Sequence, residues 1–188
     1  GEFVQEPQVR YAERLTELLP AGLDSVYFVN SGTEANEAAL KLAKRVTGRT
    51  RIIACHKSYH GSTHGSLSIT GNEAKRYRNR PLLPDVHFSH FNEEADLDLI
   101  DLSTAAVVVE PIQGDAGVRL PDRTWLRLLR DRCTETGAML IFDEVQTGFG
   151  RTGTLFAFES LGVQPDILVL GKALGGGLPM GAFISSTD

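Results

Sequence analysis

Two cysteines, Cys55 and Cys133, are all that 188 residues contain. They lie far apart and fit no metal-ligand spacing, which argues for reduced, buried thiols in a cytoplasmic chain and against a disulfide framework. No apolar run approaches the roughly 18 residues of a transmembrane helix. The opening GEFVQEPQVRYAERL lacks the basic-then-apolar pattern of a secretory leader. Like charges are nowhere bunched and the formal net charge is −5, so nothing favours a nucleic acid or an anionic membrane as partner. Internal repeats and low-complexity segments are absent. Two common phosphate signatures are missing as well. A P-loop would need glycine five residues before Gly171, where Asp166 stands, and no GxGxxG links a strand to a helix.

What remains is ordinary globular composition, 41% hydrophobic and 23% charged, in a length that suits one domain. Residues 8–19 have a helical pattern stopped by Pro20. SVYFVN (25–30) reads as a strand. Residues 33–46 carry Ala35, Ala38, Ala39, Leu42, Ala43 and Val46 at helical spacing. A short strand is expected at 52–55, and a Gly/Ser/Thr-rich loop with room for a short helix at 58–71. AAVVV (105–109) is an uninterrupted β-type run, as in strands covered on both faces. Residues 122–136 read as a helix with Trp125, Leu128, Leu129 and Cys133 inward, ended by Gly137. AMLIF (138–142), ILVL (167–170) and the closing GAFISS supply further strands. The alternation predicts an α/β domain with a mostly parallel central sheet flanked by helices. Ligands of such sheets collect beyond the carboxyl ends of the strands, where Asn30-Ser31-Gly32-Thr33, Glu110, Asp143-Glu144 and Lys172 all fall.

Each of these positions has two readings. Ser31 and Glu34 have capping-box spacing; they either simply begin a helix or set up an anion site at Gly32 and Thr33. His56, His60 and His64 are four apart, but the intervening glycines and serines argue against the regular helix that would align them on a metal. Tyr59 either packs or covers a planar ligand. Glu110 either reaches solvent, or is paired with a cation or orients a ligand. Asp143 is a solvated turn acid or keeps a ring nitrogen protonated, with Val145 against the same ring and Gln146 donating to a ring substituent. Lys172 is exposed, or ion-paired with Glu110 or Asp143, or a Schiff-base lysine in a partly desolvated site. Taken together, a helix-start phosphate site, a ring-covering aromatic, an acid, a glutamine and a lysine match the parts of pyridoxal phosphate.

The motifs SGTEANEAALKLA, YHGST, EPIQGDAG, FDEVQTGFGRTG and GKALGGGLPMGA, in this order, resemble those of the class III aminotransferases. These are fold-type I pyridoxal-phosphate enzymes that include acetylornithine, ornithine and other ω-aminotransferases. The resemblance covers nearly the whole chain. It implies that Gly32 and Thr33 hold the cofactor phosphate, Tyr59 stacks on the ring and Val145 packs on its opposite face. It further implies that Asp143 pairs with the pyridinium nitrogen, Gln146 contacts the phenolic oxygen, Glu110 supports the site and Lys172 carries the cofactor as a Schiff base. Two positions depart from the pattern. Ser62 stands where acetylornithine and ornithine members often have arginine, and Asp115 where many ω-aminotransferases have glutamate. Both touch substrate selection. The resemblance implies an amine or ω-amino acid donor, an oxo acid such as 2-oxoglutarate as acceptor, and a homodimer with active sites at the subunit interface; from the histidine spacing no metal is expected. Residues 1–188 are then expected to be a single partial domain, the cofactor-binding large domain, with an N-terminal segment and a C-terminal small domain outside it. Alternatives on the same reading are an aminomutase, a decarboxylating transaminase, or an inactive piece serving as an α/β module.

Overall fold

Segments of four to six residues, most of them apolar runs too short for helices, become the strands of one seven-stranded sheet in a computed structural model that describes residues 3–187. The strands are β1 (Ser25–Val29), β2 (Arg51–Cys55), β3 (Val86–Ser89), β4 (Thr104–Val109), β5 (Met139–Asp143), β6 (Ile167–Leu170) and β7 (Gly181–Ser185), in the spatial order β1-β7-β6-β5-β4-β2-β3. Strands β2 to β6 are mutually parallel, and β7 is inserted antiparallel between β1 and β6. The mostly parallel α/β architecture expected from the alternation is the one observed.

The two faces divide the core. In β6, Leu168 and Leu170 join one layer and Ile167 and Val169 the other; in β5, Leu140 and Phe142 oppose Ile141. This two-sided burial is why the central strands read as continuous apolar runs. Helix α1 (Glu6–Thr16) and α5 (Arg123–Thr136) cover the first face; α2 (Gly32–Thr47) covers the second. Short helices α3 (His64–Ser68), α4 (Glu73–Arg76) and α6 (Ala157–Leu161) lie in the connections.

Local chemistry sets the helix ends. Asp122 caps α5 by accepting from the amides of Thr124 and Trp125, and Gly137 closes it at φ 69°. Pro7 in the first turn of α1 starts that helix earlier than residue 8, and the helix stops at Thr16, short of Leu19. Two inward faces differ from expectation. In α5, Leu126 is buried and Leu128 is exposed; in α2, Asn36 and Leu40 are buried and Val46 is exposed. The periodicity was compatible with either rotation, and the sheet chose between them. Asp143 is the last residue of β5 rather than the first beyond it, and β3 was not foreseen. Its VHFS is a short edge strand of mixed burial, with little apolar signal to read.

Candidate functional site

The carboxyl ends of β1, β2, β4, β5 and β6, with the entry into β7, surround a cavity of about 380 Å³. Gly32, Thr33, Tyr59, Glu110, Asp143, Val145, Gln146 and Lys172 all line it, together with His60, Ser62 and the 178–180 turn.

At the β1–α2 junction, Ser31 Oγ accepts from the Glu34 amide at 3.3 Å, while the Glu34 carboxylate accepts from the Asn30 amide at 2.7 Å. This is a reciprocal cap displaced by one residue. The first amides of α2, at Gly32 and Thr33, have no intrahelical acceptor, and both residues line the cavity at the positive end of a 16-residue helix. The Thr33 hydroxyl is engaged elsewhere. It shares a 2.7 Å hydrogen bond with Thr63 Oγ1 and accepts from the Thr63 amide. The Glu37 carboxylate accepts from Thr63 Oγ1 and from the Gly65 and Ser66 amides, so α2 anchors residues 63–66. Glycine is required where backbones crowd. A Cβ at Gly32 would sit 2.8 Å from Val145 Cγ2, and one at Gly181 would fall on the Ser31 carbonyl.

Asp143 is only 4% exposed. Its Oδ2 accepts from Asn36 Nδ2 at 2.8 Å and meets His60 Nδ1 at 2.7 Å, and its Oδ1 accepts from the Val145 amide at 3.1 Å. Three donors converge on this one carboxylate and fix its orientation. They also assign the His60 proton to Nδ1. Asn36 Nδ2 donates in addition to the His60 carbonyl. Neither Asn36 nor His60 was expected here. His60 had been weighed only as a metal ligand. Asn36 did leave a signal, an amide inside the otherwise apolar stripe of α2. The other two histidines go elsewhere: His56 lies between Phe88 and His90, and His64 begins α3.

Glu110 and Glu144 are buried, not solvated strand-end acids. Glu110 accepts from the Tyr59 amide at 3.0 Å and the Gly114 amide at 3.4 Å; burial, the largest influence, lifts its carboxyl above the ordinary range. Glu144 turns away from the cavity. It accepts from Thr147 Oγ1 and the amides of Ala157 and Phe158, tying the 145–156 loop to the start of α6. Burial raises Glu144 above its ordinary 4.5, against the pull of those amides. A carboxyl so raised binds its proton more tightly in the folded state. Its contribution to stability is therefore full below about pH 4.5 and is lost as pH rises through the raised value. Urea unfolding of wild type and Glu144→Gln should show the wild-type free energy falling relative to the variant from pH 4.5 upward. A pH-independent difference would refute this assignment.

Lys172 follows β6 through Gly171 and adopts φ 45°, a left-handed conformation that costs a non-glycine residue roughly 1–2 kcal/mol. It is exposed on the cavity wall and pairs with no described carboxylate, so of the alternatives weighed for it the ion pair with Glu110 or Asp143 is not formed. Nor is Lys172 desolvated, as a nucleophilic lysine was expected to be. Gln146 is held against Gly114, where a Cβ would come within 2.7 Å of its amide carbon. Of the two departing positions, Ser62 lines the cavity and Asp115 is paired with Lys75 at 2.7 Å.

Residues 1–188 match the family model described as aminotransferase class III. The chain is 49% identical over 187 residues to an acetylornithine aminotransferase from Methanopyrus kandleri, covering 99% of this chain and 48% of that relative. It is 49% identical over 168 residues to a LysW-aminoadipate semialdehyde/glutamate semialdehyde transaminase from Sulfolobus acidocaldarius, covering 89% of this chain and 43% of the relative. The chain thus spans about half the length of the curated relatives it matches. Among solved structures, a transaminase from a marine Virgibacillus superposes with TM-score 0.90 at 31% identity, over 99% of this chain and 46% of that one. The ornithine aminotransferase of Toxoplasma gondii, described with partial occupancy of pyridoxal phosphate at its active site, superposes with TM-score 0.90 at 32% identity, over 98% and 45%.

Proposed function

The chain belongs to the class III aminotransferase family, and from that premise we propose that it forms the cofactor-bearing part of a pyridoxal-phosphate-dependent ω-aminotransferase. The observation that carries this reading is the convergence on one cavity of an exposed lysine, a buried carboxylate held by three donors, and the open amides of a helix N-terminus. The residues present fit the cofactor. Gly32 and Thr33 at the start of α2 line the cavity, and an aromatic and a valine flank it.

When bound, pyridoxal phosphate supplies an electrophilic aldehyde and a pyridine ring that takes up the electron pair left as a substrate C–H bond breaks. The chain supplies the rest. The amides of Gly32 and Thr33 hold the phosphate, the latter without its hydroxyl. Asp143 keeps the ring nitrogen protonated. Tyr59 and Val145 confine the ring, and Gln146 donates to its phenolic oxygen. Glu110 supports the site by fixing the Tyr59 amide. Lys172 would be the amine that holds the cofactor through its aldehyde, and when free its amino group would move the proton at the substrate carbon, as base and then acid. The left-handed turn at Lys172, with glycine before it, lets the side chain enter the cavity from the end of a buried strand.

The proposed donor carries a terminal amine, as the relatives' names suggest, and 2-oxoglutarate is the proposed acceptor. A cytoplasmic homodimer is proposed on the family resemblance. In the native polypeptide that carries these 188 residues, pyridoxal phosphate should produce a near-visible absorption band. A panel of ω-amino donors with 2-oxoglutarate should then yield glutamate in proportion to donor consumed. Repeated donor turnover without the oxo acid would overturn amino transfer, and loss of carbon dioxide from the donor would overturn simple amino transfer in favour of the decarboxylating alternative.

A further inference from the structure

Tyr59 is an awkward wall for a binding site. It is 36% exposed and sits on a loop rather than on the sheet. Its backbone is held by Glu110, but nothing in that bond fixes the phenol ring. The ring is instead met by Lys75, whose Nζ lies 4.2 Å from the ring centroid. The same Nζ pairs with Asp115 Oδ2 at 2.7 Å. Lys75 belongs to the short helix α4, and Asp115 follows Gly114, whose amide donates to Glu110. Lys75 does not line the cavity, whereas Tyr59 does, so the ammonium meets the ring from a residue outside the cavity lining.

The geometry points to Lys75 as a positioning residue for Tyr59. Backed by Asp115, it clamps the outer face of the ring so that the inner face is preset for a flat ligand. This inference rests on the proposed cofactor reading. The physical case is that an ammonium over a phenol is attracted to the ring face, while a carboxylate at hydrogen-bond distance restricts where that ammonium can go. Glu110 and Lys75 then hold Tyr59 from two directions, one by its amide and the other by its ring. Asp115 acts here only through Lys75, which gives the shorter acid at this departing position a task distinct from contacting substrate.

The test is a double-mutant cycle read by titration of pyridoxal phosphate into the native polypeptide, with the thermal midpoint as a folding control. Lys75→Met keeps the alkyl stem and removes the charge. It should weaken cofactor binding about two- to five-fold, the range implied by a surface cation–π contact. In a Tyr59→Ala background the same change should have no further effect. Asp115→Asn should weaken binding in the wild-type background, and Lys75→Met with Asp115→Asn should equal Lys75→Met alone. Unchanged affinity in Lys75→Met, or an equal loss with and without the Tyr59 ring, would overturn the clamp while leaving the cofactor reading intact. Failure of the wild-type polypeptide to bind pyridoxal phosphate would overturn both.

Discussion

Lys172→Ala in the native polypeptide is expected to abolish covalent capture of pyridoxal phosphate and to lower turnover by roughly two to four orders of magnitude or more. That range is the usual loss when a positioned proton-transfer group is removed, and here the same side chain also provides the attachment point. Folding should be unaffected. The lysine is exposed and makes no ion pair with a described residue, and its φ of 45° is a strain that alanine inherits rather than adds. Borohydride trapping followed by peptide mass analysis gives a readout separate from activity. Wild type should carry the cofactor mass on the peptide containing Lys172, and the variant on no peptide. Cofactor mass on another lysine in wild type would refute the assignment.

Asp143→Asn should leave the cavity's shape nearly unchanged and remove its one triply held negative charge. An opposite charge close by shifts a titrating group by roughly one to three pH units. The protonated fraction of the bound pyridine nitrogen should therefore fall about ten- to thousand-fold at a pH above its new midpoint, and turnover with it. Nitrogen-15 labelling of the cofactor ring reads that proton directly by NMR. A protonated ring nitrogen persisting in Asp143→Asn at neutral pH would sink the proposed role. A stability cost should accompany the change. An amide at 143 cannot accept from both Asn36 Nδ2 and His60 Nδ1 without turning its own NH2 toward another donor. A buried donor left without an acceptor costs about 1–3 kcal/mol, so the thermal midpoint should fall. His60→Asn, which can still donate toward Asp143, should be milder than His60→Phe in the same NMR experiment.

Much of this molecule was legible in order along the chain. The strands β4, β5 and β6 declared themselves because a parallel strand buried on both faces must be apolar throughout. The ends of α5 and α2 were readable because a cap is a contact within a few residues. Asp122 reaches Thr124 and Trp125, and Ser31 reaches Glu34. The polar residues beyond the strand ends could be collected into one candidate site because parallel strands bring their carboxyl ends to the same edge. All eight candidate residues do meet at one cavity.

Other features had no local signature. The insertion of β7 between β1 and β6 depends on pairings across the chain, such as Val29 with Gly181. Whether Leu126 or Leu128 faced inward depended on where the sheet lay, since either lies beside the helical stripe. His60 and Asn36 became partners of Asp143 across 83 and 107 residues of sequence, and Lys75 came to rest on Tyr59 through the docking of a four-residue helix. The division has a physical cause. Composition, periodicity and caps act over one or two turns of chain and so leave their mark in adjacent letters. The charge partners of the site are chosen by which strand ends the sheet brings together, and that arrangement exists only once the whole chain has folded.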